Sequence, residues 1–157
     1  MNEPLFRLIS SNDPGFREAH ARAAASIGRF ERIVRQASGT RCLAKLRFRD
    51  PDLSSSVGED QFLFIWLMDI VYDVKDGMFS GEFFEVPAAL QKWHKVGERL
   101  WFDPDDVFDW MAIDNGHIVG GFTIRVVRDR LSTEERSRYD AYIGATSFEP
   151  IADRASD

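Results

Sequence analysis

Three histidines, a string of carboxylates and a series of arginines hold most of the reactive potential of this 157-residue sequence. Asp105-Asp106-x-x-Asp109 has the outline of an acidic magnesium motif, in which carboxylate oxygens projected from long helices hold a metal and its pyrophosphate. Asp103-Pro104 puts these acids in a turn between strands, where capping and solvation account for them better. His94 or His117 beside Asp109 or Glu98 would make an acid/base pair, because a carboxylate orients an imidazole and raises its basicity. With Arg125 added, Asp109 and His117 are the catalytic residues of one candidate function, a small hydrolase-like enzyme working near Gly120-Gly121. Trp93, Asp105, Asp106, Asp109 and Arg125 are the binding residues of the other. In that reading Trp93, in the polar setting Gln-Lys-Trp-His-Lys, is an exposed anchor.

Other chemistries lack their motifs. The sequence has no glycine-rich phosphate loop, no GxSxG elbow and no zinc-type Cys/His spacing, so neither a metal nor a cofactor is expected. A single cysteine, Cys42, suits a reducing compartment, and MNEPLFRLIS has no apolar stretch of the kind a secretory signal needs. A cytoplasmic location follows as the expectation. The longest apolar run, Phe62 to Met68, is seven residues, against the roughly 20 that a membrane span requires.

Charge divides the chain into blocks. Residues 1–50 carry ten basic and five acidic side chains, residues 51–123 four and fourteen, and residues 124–157 six and seven, giving −6 overall. The acidic middle would repel phosphate, so nucleic acid is not an expected partner, whereas another protein is.

The elements that must position these residues are read from periodicity. Residues 1–12 form an arm whose Leu5, Phe6, Leu8 and Ile9 pack on the domain. Residues 13–38 form one long helix, capped near Asp13-Pro14 and stopped by Gly39, with Phe16, Ala19, Ala23, Ile27, Phe30, Val34 and Ala37 on a single stripe. His20 lies at the edge of that stripe. From Arg41 the period falls to 2, marking a strand. Residues 49–60 have a loop composition, Gln61 to Asp73 is a long central strand, and Met78 to Val86 and Glu98 to Phe102 are further strands. A short helical turn is expected at 105–109. Asn115-Gly116 predicts a two-residue hairpin turn, because both of its central positions need positive φ. Ile118, Phe122, Ile124 and Val126 form the returning strand, with Gly120-Gly121 as a bulge that Trp110 lies across. Trp110, Asn115, Gly116, Gly120 and Gly121 are thus structural residues. Trp66, Trp101 and Trp110 are assigned to the core with Phe79, Phe83, Phe84 and Phe102, and Arg125 is expected to pair with an acid of the middle block. Ser132 and Glu135 make a capping box for a helix to Ile143, and residues 144–157 are a loose tail. The whole predicts an α+β fold: one domain over 1–157, with a bent antiparallel sheet of about five strands and a long N-terminal and a short C-terminal helix packed on it.

Trp66, Gly81-x-Phe83-x-x-x-Pro87, Val96-Gly97-Glu98-x-Leu100-x-Phe102, Asp109-Trp110 and Gly120-Gly121-Phe122-Thr123-x-Arg125 together resemble the YegJ-like bacterial domain of unknown function, number two-three-one-four in that series. The resemblance covers residues 41–143. Members carry Glu-His two positions before the tryptophan and an asparagine two before the proline, where this chain has Leu63-Phe64 and Glu85, so a polar site built from those residues would be lost or altered here. The resemblance implies a small α+β domain with no established activity, some relatives occurring in settings of toxin immunity or accessory modules. A non-catalytic protein-binding or regulatory domain, with an immunity-type protein as one form of it, is therefore the first reading of the sequence and the small enzyme is its alternative.

Overall fold

Strand pairing in the computed structural model, which describes residues 13–36 and 39–151, joins seven strands in one mixed sheet. In chain order the described elements are α1 (Pro14–Ala25), α2 (Ile27–Gln36), β1 (Arg41–Arg49), α3 (Pro51–Val57), β2 (Phe62–Asp73), β3 (Met78–Phe83), β4 (Arg99–Phe102), β5 (Val107–Asp114), β6 (His117–Gly120), α4 (Phe122–Asp129), α5 (Thr133–Ile143) and β7 (Ser147–Phe148). Spatial order is β4-β3-β2-β1-β5-β6-β7. Neighbours are antiparallel except β6 and β7, which run parallel. The N-terminal arm, Ala37 and the last six positions of the tail lie outside the described residues.

Curvature follows from one short connection. Phe102 ends β4 and Val107 begins β5, yet β3, β2 and β1 lie between those strands in the sheet. Four strand spacings in a flat sheet are about 19 Å. Five Cα steps span at most about 18 Å even when fully extended, and part of this link is a 3₁₀ turn, Pro104–Asp106. The sheet must curl to bring the two strands together.

Both faces are covered. Ala44, Leu46, Ile65, Leu67, Phe79 and Trp110 on one face pack under Ala23 and Phe30 of α1 and α2, and the ring of Phe30 stacks on Trp110 at 5.1 Å. Leu43, Trp66, Met111 and Ile113 on the other face pack under Ile124 of α4 and Tyr139 and Ile143 of α5. Burial on both sides explains the long apolar run in β2.

Several sequence expectations need correction. The long helix is two helices, broken at Ser26, whose hydroxyl donates to the Arg22 carbonyl at 2.7 Å and accepts from Trp110 Nε1 at 3.0 Å. A serine bonded back to the preceding turn bends a helix, and here it also satisfies a buried indole. The 49–60 segment contains α3, capped by Asp50 and closed by Gly58 in the left-handed region. The hairpin turn forms as read, with Asn115 and Gly116 at φ 49° and 84°. The returning strand stops at Gly120, however, and residues 122–129 are helix, so Gly120-Gly121 is a strand-to-helix corner instead of a bulge. Beyond Gly144 the chain adds β7 beside β6, and Glu149 pairs with Arg29 at 2.6 Å. Residues 144–151 are therefore anchored.

Candidate functional site

The proposed acid/base trio does not assemble, because each member is bonded elsewhere. Asp109, on β5, is completely buried. Its carboxylate accepts from the backbone N–H groups of Trp110, Phe122 and Thr123 at 2.8, 3.2 and 2.8 Å and from the Thr123 hydroxyl at 2.6 Å. Helix α4 begins after Gly121, which has no side chain to cap it. The neighbouring strand supplies the missing carboxylate, as a helix N-terminus favours. The expected helical turn at 105–109 ends at Asp106, and Asp109 belongs to a strand.

His117 shares a hydrogen bond of 2.7 Å with Ser147 Oγ. Arg125 donates to the carbonyls of Gly120, Glu149 and Ile118, and its guanidinium lies over the Phe148 ring. It thus clamps β6 to β7 and makes no hydrogen bond to an acid of the middle block. His94 does meet Glu98, its Nδ1–H donating at 3.0 Å, and that bond lowers the Glu98 carboxyl below its ordinary range. The imidazole stacks on Phe83, and among the described residues its carboxylate partner is Glu98, not Asp109.

The acids at the β4–β5 link have a different setting. The Asp103 and Asp106 side chains form a reciprocal capping box at the start of the turn, Asp103 accepting from the Asp105 N–H and Asp106 from the Asp103 N–H, and the exposed Asp105 and Asp106 stand on the wall of an open cleft of about 450 Å³. Curling of the sheet brings Arg47 and Phe48 of β1, Trp101 of β4, Phe108 of β5 and His20 of α1 to the same cleft. His20 is stacked flat on Phe108 at 4.4 Å while its Nδ1–H donates to the Phe108 carbonyl at 2.9 Å. Arg47 lies over the Phe62 ring at 4.2 Å. Trp101, expected in the core, is 50% exposed here. The signal for this was in the strand period: Arg99 and Trp101 share one side of β4, Leu100 and Phe102 the other, and only the latter pair packs on the core. Trp93 is exposed as expected, beside Lys92, and does not line the cleft. Of the predicted binding residues, the cleft therefore unites Asp105 and Asp106 and leaves Trp93, Asp109 and Arg125 apart.

Comparison with known proteins agrees with the motif resemblance. A family described as uncharacterized protein conserved in bacteria, DUF2314, matches residues 13–146. The chain belongs to that family. The DUF2314 match includes α1 and α2, which lie before the segment where the sequence motifs were found. A protein of Neisseria meningitidis serogroup B, named "Putative ankyrin repeat protein", is 34% identical over 87 residues, which are 55% of this chain and 33% of that protein. The chain thus spans about a third of the length of this curated relative. No solved structure matches the DUF2314 chain. Among its described residues, no helix is long and apolar enough to cross a membrane, and no group of three or more His, Cys, Asp or Glu side chains could hold a metal.

Proposed function

We propose that this protein is a non-catalytic protein-binding domain that receives a basic segment of its partner in the Trp101–Asp105–Asp106 cleft. The observation that carries this reading is a half-exposed indole beside two exposed carboxylates which, among the described residues, have no ion pair. A lysine or arginine entering the cleft would meet both a ring face and negative charge, combining cation–π attraction with electrostatic steering. An immunity-type protein covering a basic toxin surface would use the same mode. The ankyrin-named relative supports the reading, since stacked repeats present binding surfaces and its likeness to this domain fits a setting of protein recognition.

The test compares capture of cytosolic proteins by the wild type, by Trp101→Ala, by the double variant Asp105→Lys with Asp106→Lys, and by Glu59→Lys as an exposed control outside the cleft. One specific partner should be retained by Glu59→Lys and lost by the double charge reversal. Trp101→Ala should weaken it by about 2 kcal/mol or more, the cost typical of a buried aromatic anchor. Equal retention by all four proteins would overturn the reading.

A further inference from the structure

The opposite face of the sheet holds a second cavity of about 290 Å³. Helix α5 covers this face and stops at Ile143–Gly144, leaving Leu43 of β1, Met111 of β5 and the nearby Phe84 as an apolar lining. Trp66 also lines it. That residue is 2% exposed, and its Nε1–H is buried without a hydrogen-bond partner. An unsatisfied indole donor is costly inside a protein, which makes one beside a cavity informative. Arg41, the one charged residue of the lining, is exposed and has no ion pair among the described residues. Tyr142 stands with it, 43% exposed. In a chain of net charge −6 this cavity is lined by a cation and no carboxylate, and a buried, unpaired donor belongs to one of its lining residues.

We propose that the cavity binds a compact apolar carboxylic acid, with its hydrocarbon body against Leu43, Met111 and Phe84, its carboxylate at Arg41 and an oxygen accepting from Trp66 Nε1–H. The volume lies at the small end of ligand sites and admits roughly one ring with a short acidic arm. An unpaired guanidinium and an unpaired indole N–H beside an apolar floor favour an anion with an apolar body over a sugar or a bare ion, since a sugar would leave its hydroxyls unmatched there.

Phenylacetate is the probe, with acetate supplying the charge without the ring and toluene the ring without the charge. Nitrogen–proton spectra follow the four indole signals, that of Trp66 being assigned with Trp66→Phe. The expected result is a saturable shift of the Trp66 indole on adding phenylacetate, with Trp93, Trp101 and Trp110 unmoved. Acetate and toluene should bind at least about tenfold more weakly, and Arg41→Gln should weaken phenylacetate by about tenfold, the effect of one lost charge-assisted contact. Trp101→Ala should leave the titration unchanged, which separates this site from the protein-binding cleft. Absence of a saturable Trp66 shift, toluene binding as well as phenylacetate, or an Arg41→Gln protein with undiminished affinity would each overturn the proposal.

Discussion

Lys45 Nζ lies 2.8 Å from Thr123 Oγ1, and the same hydroxyl donates to Asp109 at 2.6 Å. A buried lysine and a buried carboxylate are thus joined through one threonine, tying β1 and β5 to the first turn of α4. Burial pulls the lysine down to about 8, with the Asp109 charge opposing, and burial raises Asp109 against the pull of Lys45 and its other donors. Removing one partner from such a pair costs about 3–5 kcal/mol, because the other stays buried without compensation. Asp109→Ala should fall in that range in urea unfolding. Lys45→Met should cost less, since the Asp109 carboxylate keeps its three backbone donors. The double variant should cost less than the sum, and strict additivity would show that the two groups do not communicate.

The same lysine gives a pH signature. Its folded pKa is below its unfolded value, so between about 8 and 10.5 the unfolded chain holds the extra proton. Stability from this group therefore rises with pH through that window. The difference in unfolding free energy between wild type and Lys45→Met should move in favour of wild type from pH 8 to 10.5. Parallel profiles would remove Lys45 as the source.

Gly120 separates space from backbone conformation as the reason for a glycine. At φ +75°, a Cβ on this residue would lie 2.5 Å from the Trp110 carbonyl oxygen and 2.6 Å from its ring. Neither obstacle can turn aside. Gly116, at φ +84°, would place its Cβ 2.5 Å from Thr146 Oγ1, a side-chain atom that can rotate. Gly120→Ala should cost about 3–5 kcal/mol, strain and overpacking together, and Gly116→Ala about 1–2 kcal/mol. Urea midpoints of the two variants measure the contrast, and equal losses would refute the role assigned to Trp110.

At the surface, Arg130 makes two bonds of 2.8 Å to the Asp13 carboxylate, which also caps α1. The Arg130 bond is the largest influence holding the Asp13 carboxyl at about 2, against 3.8 for the free side chain. A lowered acid contributes stability above its unfolded pKa and loses it as pH falls through the folded one. Asp13→Asn should flatten the acid limb of the stability profile between pH 3.8 and about 2. Because the pair is exposed, raised salt should shrink the difference. A variant whose acid limb matches wild type would contradict this.

The alternation of Leu43, Lys45 and Arg47 with Ala44, Leu46 and Phe48, the Asn115-Gly116 turn and the Ser132 capping box were legible because each depends on neighbours in sequence. The break at Ser26 was not, since a serine inside a helical stripe is no stop signal by itself and the indole that also holds its hydroxyl belongs to Trp110, 84 positions away. The conversion of 122–129 to helix was hidden for a similar reason: Phe122, Ile124 and Val126 carry a strand period, while the cap that starts the helix comes from Asp109 on another strand. Within the cleft, Asp105 and Asp106 could be found from their turn. Their neighbours His20, Arg47 and Trp101 could not, because only the curl of the sheet brings them together.

Cys42 offers a test of how firmly β1 is held. The thiol is 7% exposed in the core under α1 and α2, and burial pushes it up to about 11 from an ordinary 9.0. At pH 8 that shift alone cuts the thiolate fraction about a hundredfold, and the thiolate is the reactive form. Burial adds the further need for a local opening, since a reagent must reach a side chain 7% exposed on a strand that pairs here with Ala112 of β5. Iodoacetamide at pH 8 should therefore modify the native protein more than a hundredfold more slowly than the urea-unfolded chain. Gly120→Ala, by loosening the Trp110 corner of the same core, should speed native labelling by about tenfold for each 1.4 kcal/mol by which it eases the opening. Native and unfolded chains labelling at one rate would mean that Cys42 is not held in the core under α1 and α2.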